Sequence, residues 1–591
     1  MIELYIDNQQ VVLPANFSLE IINENPFFTK NGQYTYDLTL SLDNSINAKL
    51  YEHYNRNNNS ADIVSGRSAR LIVDNKVLIN GTEVILEITD KEVKIQLISG
   101  ESELNYFIGG DKKLNSLDLG SFNVLSSEES GVFLPVFSSN EEKIYNQSRI
   151  VDYNNIISAS GVKSPLIQPK LSFFVKRVIN LLGYGIETNV FDSSFLQYIR
   201  ILNGRKTVKY SLMLPDWTVA EFFTELENIF NIAFIIDEYT KKISIFFKNN
   251  YYQDSVKTFV DEVIDEFSKT IDKENKLSYE QANIGYELTD DEYFKYQKLE
   301  KMIIDRAQPM AFPSYAAIGA YMMSTTDTRT LKNKIFKSES SETQYICTVA
   351  TIGNITYKSQ KKVNIFKDIM NNPNNSDLDI SLKIIPAPIR IVNVPVYDNI
   401  DANTNNVLYN MLAPLPVIET DEGDDLNYIL PGSTEEEDFI DIQSILENDS
   451  DAEEEPQSST GTSDNLFIFL YNGRHDIFSE NYFLINNTKK VEYPIGFVDY
   501  LCEDERFGER YLDSNNLSLR LDSDHGLKPL FESISVDTTK EYTFKFIYNK
   551  KLDAKSVFVF NNKKFVCKQL KYSINSKGIE NIIEGVFYPI D

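Results

Sequence analysis

Residues 214–252 read LPDWTVAEFFTELENIFNIAFIIDEYTKKISIFFKNNYY. Thr218 with Glu221 three residues on is a capping box, so a helix starts there. Its apolar stripe is Val219, Phe222, Phe223, Leu226, Ile229 and Phe230, the i, i+3, i+4, i+7 spacing of one helix face. The period then falls to two: residues 232–237 form one strand, 238–241 a turn, and Ile243, Ile245 and Phe247 mark a second strand. A helix followed at once by a hairpin is an α+β unit that lays its stripe on a sheet. Trp217, the only tryptophan, stands at the helix entry as a core staple rather than a binding hot spot.

Outward from this unit the pattern is mainly β. Residues 34–43 alternate Tyr34, Tyr36, Leu38, Leu40 and Leu42 with polar partners, which predicts one strand with a buried face. A meander follows: 69–73, a turn at Asp74-Asn75, 77–79, a turn at Asn80-Gly81, 84–88, then Val93, Ile95 and Leu97. Short strands at this spacing suggest a small barrel or sandwich. A second helix is expected over 169–182, with Pro169 as its first residue and Gly183 as its left-handed cap. Prolines crowd the extended segment 384–396, and β pattern returns at 466–471, 542–548, 557–560, 565–570 and 582–588.

The chain has 591 residues and 67.9 kDa, too long for one ordinary core, so about three to five domains are expected. The reading divides it into an N-terminal tube-like β-barrel domain (1–130), a connecting region with the 169–182 helix (131–210), the helix–hairpin module (211–270), a second β-rich domain (271–370), a linker (371–390), an acidic insertion or arm (391–473) and a C-terminal β-rich domain (474–591). The class is α+β, mainly β: several small antiparallel barrels or sandwiches with helix–hairpin modules.

Charge narrows the function. With Lys+Arg 58 and Asp+Glu 87, the formal net charge is −29, which repels nucleic acid and anionic membranes. Residues 391–473 hold 19 acids and no Lys or Arg, so most of the excess sits in one stretch. Its densest part, 419–455, is broken by a few apolar residues, among them Leu426, Tyr428, Phe439 and Ile440 beside Glu435, Glu436, Glu437 and Asp438. Such a composition cannot bury enough apolar surface to fold alone, so these eight residues are the candidate partner-docking set. A solvated acidic face is the plainer reading, and cation collection by Glu435–Asp438 or Glu453–Glu455 is a third. Asp522-Ser523-Asp524-His525-Gly526 is a poor calcium loop, lacking the sixth-place glycine.

Enzyme signatures are missing. His53, His475 and His525 lie far apart, Cys347, Cys502 and Cys567 make no disulfide or zinc spacing, and no phosphate loop or nucleophile elbow occurs. No catalytic residue, metal ligand or cofactor is expected, and no apolar run reaches the length of a membrane helix. The start alternates Ile2, Leu4 and Ile6, a strand rather than a signal peptide.

Three further stretches carry a resemblance. Residues 17–20 (FSLE), 23–42 (NENPFFTKNGQYTYDLTLSL) and 47–51 (NAKLY), with the meander ARLIVDNKVLINGTEVILEITDKEVKIQLISG at 69–100, resemble the N-termini of tail proteins from phages and prophages of Bacteroidetes. Residues 214–252 look like the helix–hairpin of phage baseplate hub and tail-tip proteins, and FVFNNKKFVCKQLKYSINSKGIENIIEGVFYPI at 558–590 is similar to their last module. The acidic insertion has no counterpart. The resemblance implies two tube-like barrel domains joined by smaller α+β domains, assembled as a ring, commonly a trimer, at the end of a tail tube. Other tail proteins and fibres would be its partners. DNA would pass through without being gripped, and the protein would reside in the virion. Some relatives end in a peptidoglycan hydrolase; here the pattern stays β to the last residues, so enzyme activity is not carried over. A receptor- or carbohydrate-binding adhesin is the alternative reading. A cell-wall or glycan hydrolase ranks below it, because no clustered carboxylate pair stands out.

Overall fold

The computed structural model describes residues 2–590 apart from 57–65, 109–111, 123–130, 152–154, 159–165, 206, 208, 238, 253–256, 261, 265–266, 273–283, 287–308, 332–333, 341–343, 353–354, 363–379, 398–406, 421–464, 477, 480–491, 505–507, 512–514, 522, 532–535, 549–551 and 553. The fold is α+β and mainly β, as the period-two runs require.

Its largest element is a 14-stranded sheet. The strand order is Gln9–Val11, Ile2–Ile6, Arg67–Val73, Lys76–Ile88, Glu92–Ser99, Gln33–Thr35, Ser18–Glu24, Lys563–Asn575, Gly578–Pro589, Lys540–Ile547 and Ser268–Ile271. Leu38–Ser41 joins at Glu92–Ser99, while Lys257–Val260 pairs in parallel with Val557–Phe560, which in turn pairs with Lys563–Asn575. Ser18–Glu24 and Lys563–Asn575 pair antiparallel over seven residues, so strands from both ends of the chain share one sheet. The expected N-terminal and C-terminal units are thereby continuous with each other. Among the described residues no sheet closes into a barrel.

Two of the cores on this sheet lie toward its ends. At one end Leu4, Ile6, Leu19, Leu40, Leu71 and Ile95 are buried together. At the other, Phe544, Phe546, Phe558, Phe560, Phe565 and Phe587 are buried together, with the Phe544 and Phe560 rings stacked 4.2 Å apart. Two short strands strap that second core: Lys257–Val260 runs along Val557–Phe560, and Ser268–Ile271 along Lys540–Thr543.

The meander differs from its reading in two places. Asp74 and Asn75 form the expected turn, both at positive φ (49° and 62°). Asn80-Gly81, however, is no turn: Lys76–Ile88 is one strand. A Cβ on Gly81 would stand 1.9 Å from the Ile98 carbonyl oxygen, so glycine serves a close strand approach there. The expected strand over 34–43 is two, Gln33–Thr35 and Leu38–Ser41. Between them the Thr35 hydroxyl accepts from the Leu97 amide at 3.0 Å, replacing a ladder bond, and Tyr36 turns outward, half exposed.

The central α+β body is built on the helices Leu171–Leu181 and Val219–Phe230 and the hairpin Ile232–Asp237/Lys242–Phe247. The capping box forms as expected: Glu221 accepts from the Thr218 amide at 2.7 Å, and the Thr218 hydroxyl accepts from the Glu221 amide at 3.1 Å. Gly183 is left-handed (φ 87°) and ends the earlier helix. Pro169 is not helical; it pairs with Gly131 in a two-residue strand, and the helix begins at Leu171. Trp217 is buried in this core. Two more strands complete the body: Leu466–Leu470 lies between Ile199–Ile201 and Ile384–Pro386. A long hairpin, Ile389–Tyr397 with Val407–Ile418, anchors a seven-stranded sheet, and helix Tyr315–Ser324 covers a four-stranded one.

Candidate functional site

The eight residues expected to dock a partner, Leu426, Tyr428, Glu435, Glu436, Glu437, Asp438, Phe439 and Ile440, lie outside the described residues. What the structure places are the two ends of that stretch, and both are built in. Thr420 is buried; its hydroxyl donates to Glu141 at 2.7 Å, and its amide donates to Asn140 Oδ1 at 3.1 Å. The Asn140 amide returns a bond to the Thr420 carbonyl at 2.7 Å. Beyond 464, Leu466 is held at once by the Lys383 carbonyl, 2.8 Å away, and enters the central body as a strand. The acidic stretch therefore leaves and rejoins the molecule at fixed points.

Elsewhere, polar side chains gather where the large sheet meets the hairpin. Glu103 is buried, accepts from the Thr82 hydroxyl at 2.7 Å and pairs with Lys241 from the hairpin turn. Asn25 is fully buried, and its amide nitrogen lies 2.9 Å from the Tyr252 hydroxyl, 3.0 Å from the Ala554 carbonyl and 2.7 Å from the Cys567 carbonyl. Its Oδ1 accepts from Tyr251 at 2.9 Å and from the Phe27 amide at 3.1 Å. The cause is a bulge: pairing of Lys563–Asn575 with its neighbour skips Lys568, and the Asn25 backbone amide takes the Lys568 carbonyl at 2.9 Å. Asn25 thus satisfies the carbonyls that the bulge frees.

A cleft of about 510 Å³ opens beside this junction, lined by Glu24, Glu101, Glu187, Asp237, Tyr239 and Lys555 among others. Three of its acids, Glu24, Glu101 and Asp237, are engaged. Glu24 accepts from Tyr34 and Asn31, each at 3.0 Å, and Glu101 from the Ile236 amide at 3.3 Å. Burial pushes the Asp237 carboxyl up, but the Tyr239 and Thr240 amides, the Thr240 hydroxyl and the Lys555 charge together hold it below the usual range. Hydrogen bonds thereby hold these parts of the cleft wall in place. A second polar knot, Glu83 with Tyr51 and Arg67, lies inside the first core; Arg67 Nε donates to Glu83 at 2.8 Å and its guanidinium lies 4.6 Å from the centre of the Tyr51 ring.

His475 is buried edge-on to Phe497, and His525 is exposed beside Tyr500. Cys347 and Cys567 are buried. In the poor calcium loop Asp524 pairs instead with Lys528 at 2.6 Å. Among the described residues no group of His, Cys, Asp and Glu could hold a metal ion, and no helix is long and apolar enough to cross a membrane.

No protein-family model and no curated protein matches the chain. Among the solved structures that resemble it loosely are two tail proteins. The 43 kDa tail protein of prophage MuSo2 from Shewanella oneidensis is 7% identical with a TM-score of 0.32, over 99% of this chain and 96% of that one. A tail protein from Neisseria meningitidis MC58 is 9% identical with a TM-score of 0.22, over 47% of this chain and 62% of that one. Both neighbours are tail proteins, and likeness at this level assigns this chain neither fold nor function.

Proposed function

We propose that the protein is a structural component of a bacteriophage tail. In this reading it forms with copies of itself a ring-shaped hub or tip, with a trimer favoured, that closes or extends the tail tube and anchors other tail proteins or fibres. It acts as a scaffold, without catalysis and without a cofactor, and resides in the virion.

The observation that carries the reading is the far end of the large sheet. Phe259, Phe267 and Ile271 are 62%, 53% and 59% exposed. Ile547 and Ile582 stand opposite each other on its outer face, with Ile264 beside them, all three exposed. Ser268–Ile271 is the last strand of the path and is exposed at all four residues. An apolar patch beside a strand edge that is open among the described residues is costly in water and is covered by association; a second copy closes it most simply by cyclic symmetry. The net charge of −29 suits a ring through which DNA slides without being gripped. The resemblance of the N-terminal, helix–hairpin and C-terminal stretches to hub proteins supports the same reading.

The test is particle shape. Light scattering and negative-stain electron microscopy of the full chain should show closed rings, and Ile271→Asp with Phe259→Asp should give folded monomers. A wild-type chain that stays monomeric in assembled tails, touching no copy of itself, would refute it.

A further inference from the structure

Arg200 lies in the strand Ile199–Ile201, next to the strand Leu466–Leu470. It is 6% exposed. Its Nη1 donates to the carbonyls of Gln197 and Ile199 at 3.2 and 3.4 Å, while Nε is buried with no partner. Among the described residues no carboxylate pairs with it. Its guanidinium lies 5.9 Å from the centre of the Tyr471 ring. Three residues past Tyr471, Arg474 is exposed. Lys170 stands directly opposite Arg200 across an isolated bridge and adds positive charge beside it.

We propose that Arg200, Tyr471 and Arg474 form a carboxylate-binding cradle whose ligand is the acidic stretch of residues 419–455. Three arguments converge. A buried guanidinium without a counter-ion is unstable, and a water molecule can accept from Nε but cannot neutralise the charge. Both arginines act on the Tyr471 hydroxyl: burial raises its pKa while Arg474 and Arg200 pull it down, so the phenol and the two cations share one locality. Burial lowers Arg200 to about 10, which leaves it charged at neutral pH. Paired guanidinium forks suit carboxylates, and residues 391–473 hold 19 acids with no Lys or Arg among them. That run rejoins the described chain at Asn465, shortly before Tyr471. Nucleic-acid phosphate fits the forks too, but a chain of charge −29 repels it.

The experiment uses a labelled peptide of residues 419–455 and the full chain carrying Glu435→Gln, Glu436→Gln, Glu437→Gln and Asp438→Asn, so that its own stretch competes weakly. Fluorescence anisotropy should show binding that weakens as salt rises. Adding Arg474→Gln, an exposed change that leaves the core intact, should weaken it about tenfold or more. Arg200→Lys, checked for folding by thermal melting, should weaken it as well, since the charge stays but the fork is lost. Weaker peptide binding to the unmodified full chain assigns the ligand to the same copy; equal binding assigns it to a neighbouring copy. The proposal is overturned if the peptide does not bind, if Arg474→Gln binds it as well as the parent, if a peptide with all acids as amides binds equally, or if a short single-stranded oligonucleotide displaces it. These outcomes leave the ring untouched, since that is read from particle shape.

Discussion

Asn25→Ala is the sharpest test of how the two ends of the chain are joined. The change deletes an amide that serves the Ala554 and Cys567 carbonyls and an oxygen that serves the Phe27 amide and the Tyr251 hydroxyl. Each buried group left unpaired costs about 1–3 kcal/mol. Water reaching some of them brings the sum to about 3–5 kcal/mol rather than the full total. At about 1.4 kcal/mol per tenfold, that is roughly a hundredfold to a few thousandfold rise in local opening. A single unfolding midpoint is the wrong readout for a chain of several cores. Hydrogen exchange followed by mass spectrometry, on fragments covering 18–28 and 563–589, reads the opening where it occurs. Asn25→Asp should cost at least as much as alanine at neutral pH, because it sets a buried carboxylate oxygen against the Ala554 and Cys567 carbonyls. If protection in both fragments stays within about threefold of wild type, the bulge is not held by Asn25 and the reasoning fails.

Other expectations follow from single contacts. Gly81→Ala drives a methyl into the Ile98 carbonyl and should cost about 1–3 kcal/mol, read as faster hydrogen exchange in fragments covering 76–99; unchanged exchange there would show that the strands yield. Glu221 is held below the usual carboxylate range by the Thr218 amide first and, against the opposing effect of burial, by the Thr218 hydroxyl and nearby lysines. Its folded pKa is depressed, so its contribution is present above the unfolded value and lost as pH falls through the folded one. Glu221→Gln should therefore narrow its gap to wild type on acidification from about pH 7 to pH 3; a gap that does not move with pH refutes this. Cys347 and Cys567 are buried, and peptide mapping after brief alkylation of the native chain should find both unlabelled, whereas labelling at either one would show that its core opens readily.

What could be read from the residues was local. Thr218 with Glu221, the left-handed Gly183, the Asp74-Asn75 turn and the 232–247 hairpin each announce themselves within a few positions. Their energetics are settled by neighbours in sequence. Gly81 misled for the same reason: Asn-Gly is a turn by propensity, yet here its neighbour across the sheet, Ile98, decides. Pro169 reads as a helix start but sits in an edge pair with Gly131. Nothing near Asn25 or Arg200 marks them, because what makes them matter arrives from residues near 252, 471, 554 and 567. The acidic stretch was legible as composition alone, and composition names a charge without placing it.

The bond between Asn25 and the Cys567 carbonyl spans 542 residues, and that distance has a meaning in time. At roughly 5–20 residues per second, about half a minute to two minutes of synthesis separate the two partners. Throughout that interval Ser18–Glu24 stands at the ribosome with the side that pairs with Lys563–Asn575 unzipped. Nascent chains on one messenger are staggered copies, each offering the same waiting strand to the next. Correct assembly then depends on each chain finishing before its neighbour's strand finds it, and overproduction, which crowds the copies, is the condition under which mispaired aggregates should first accumulate.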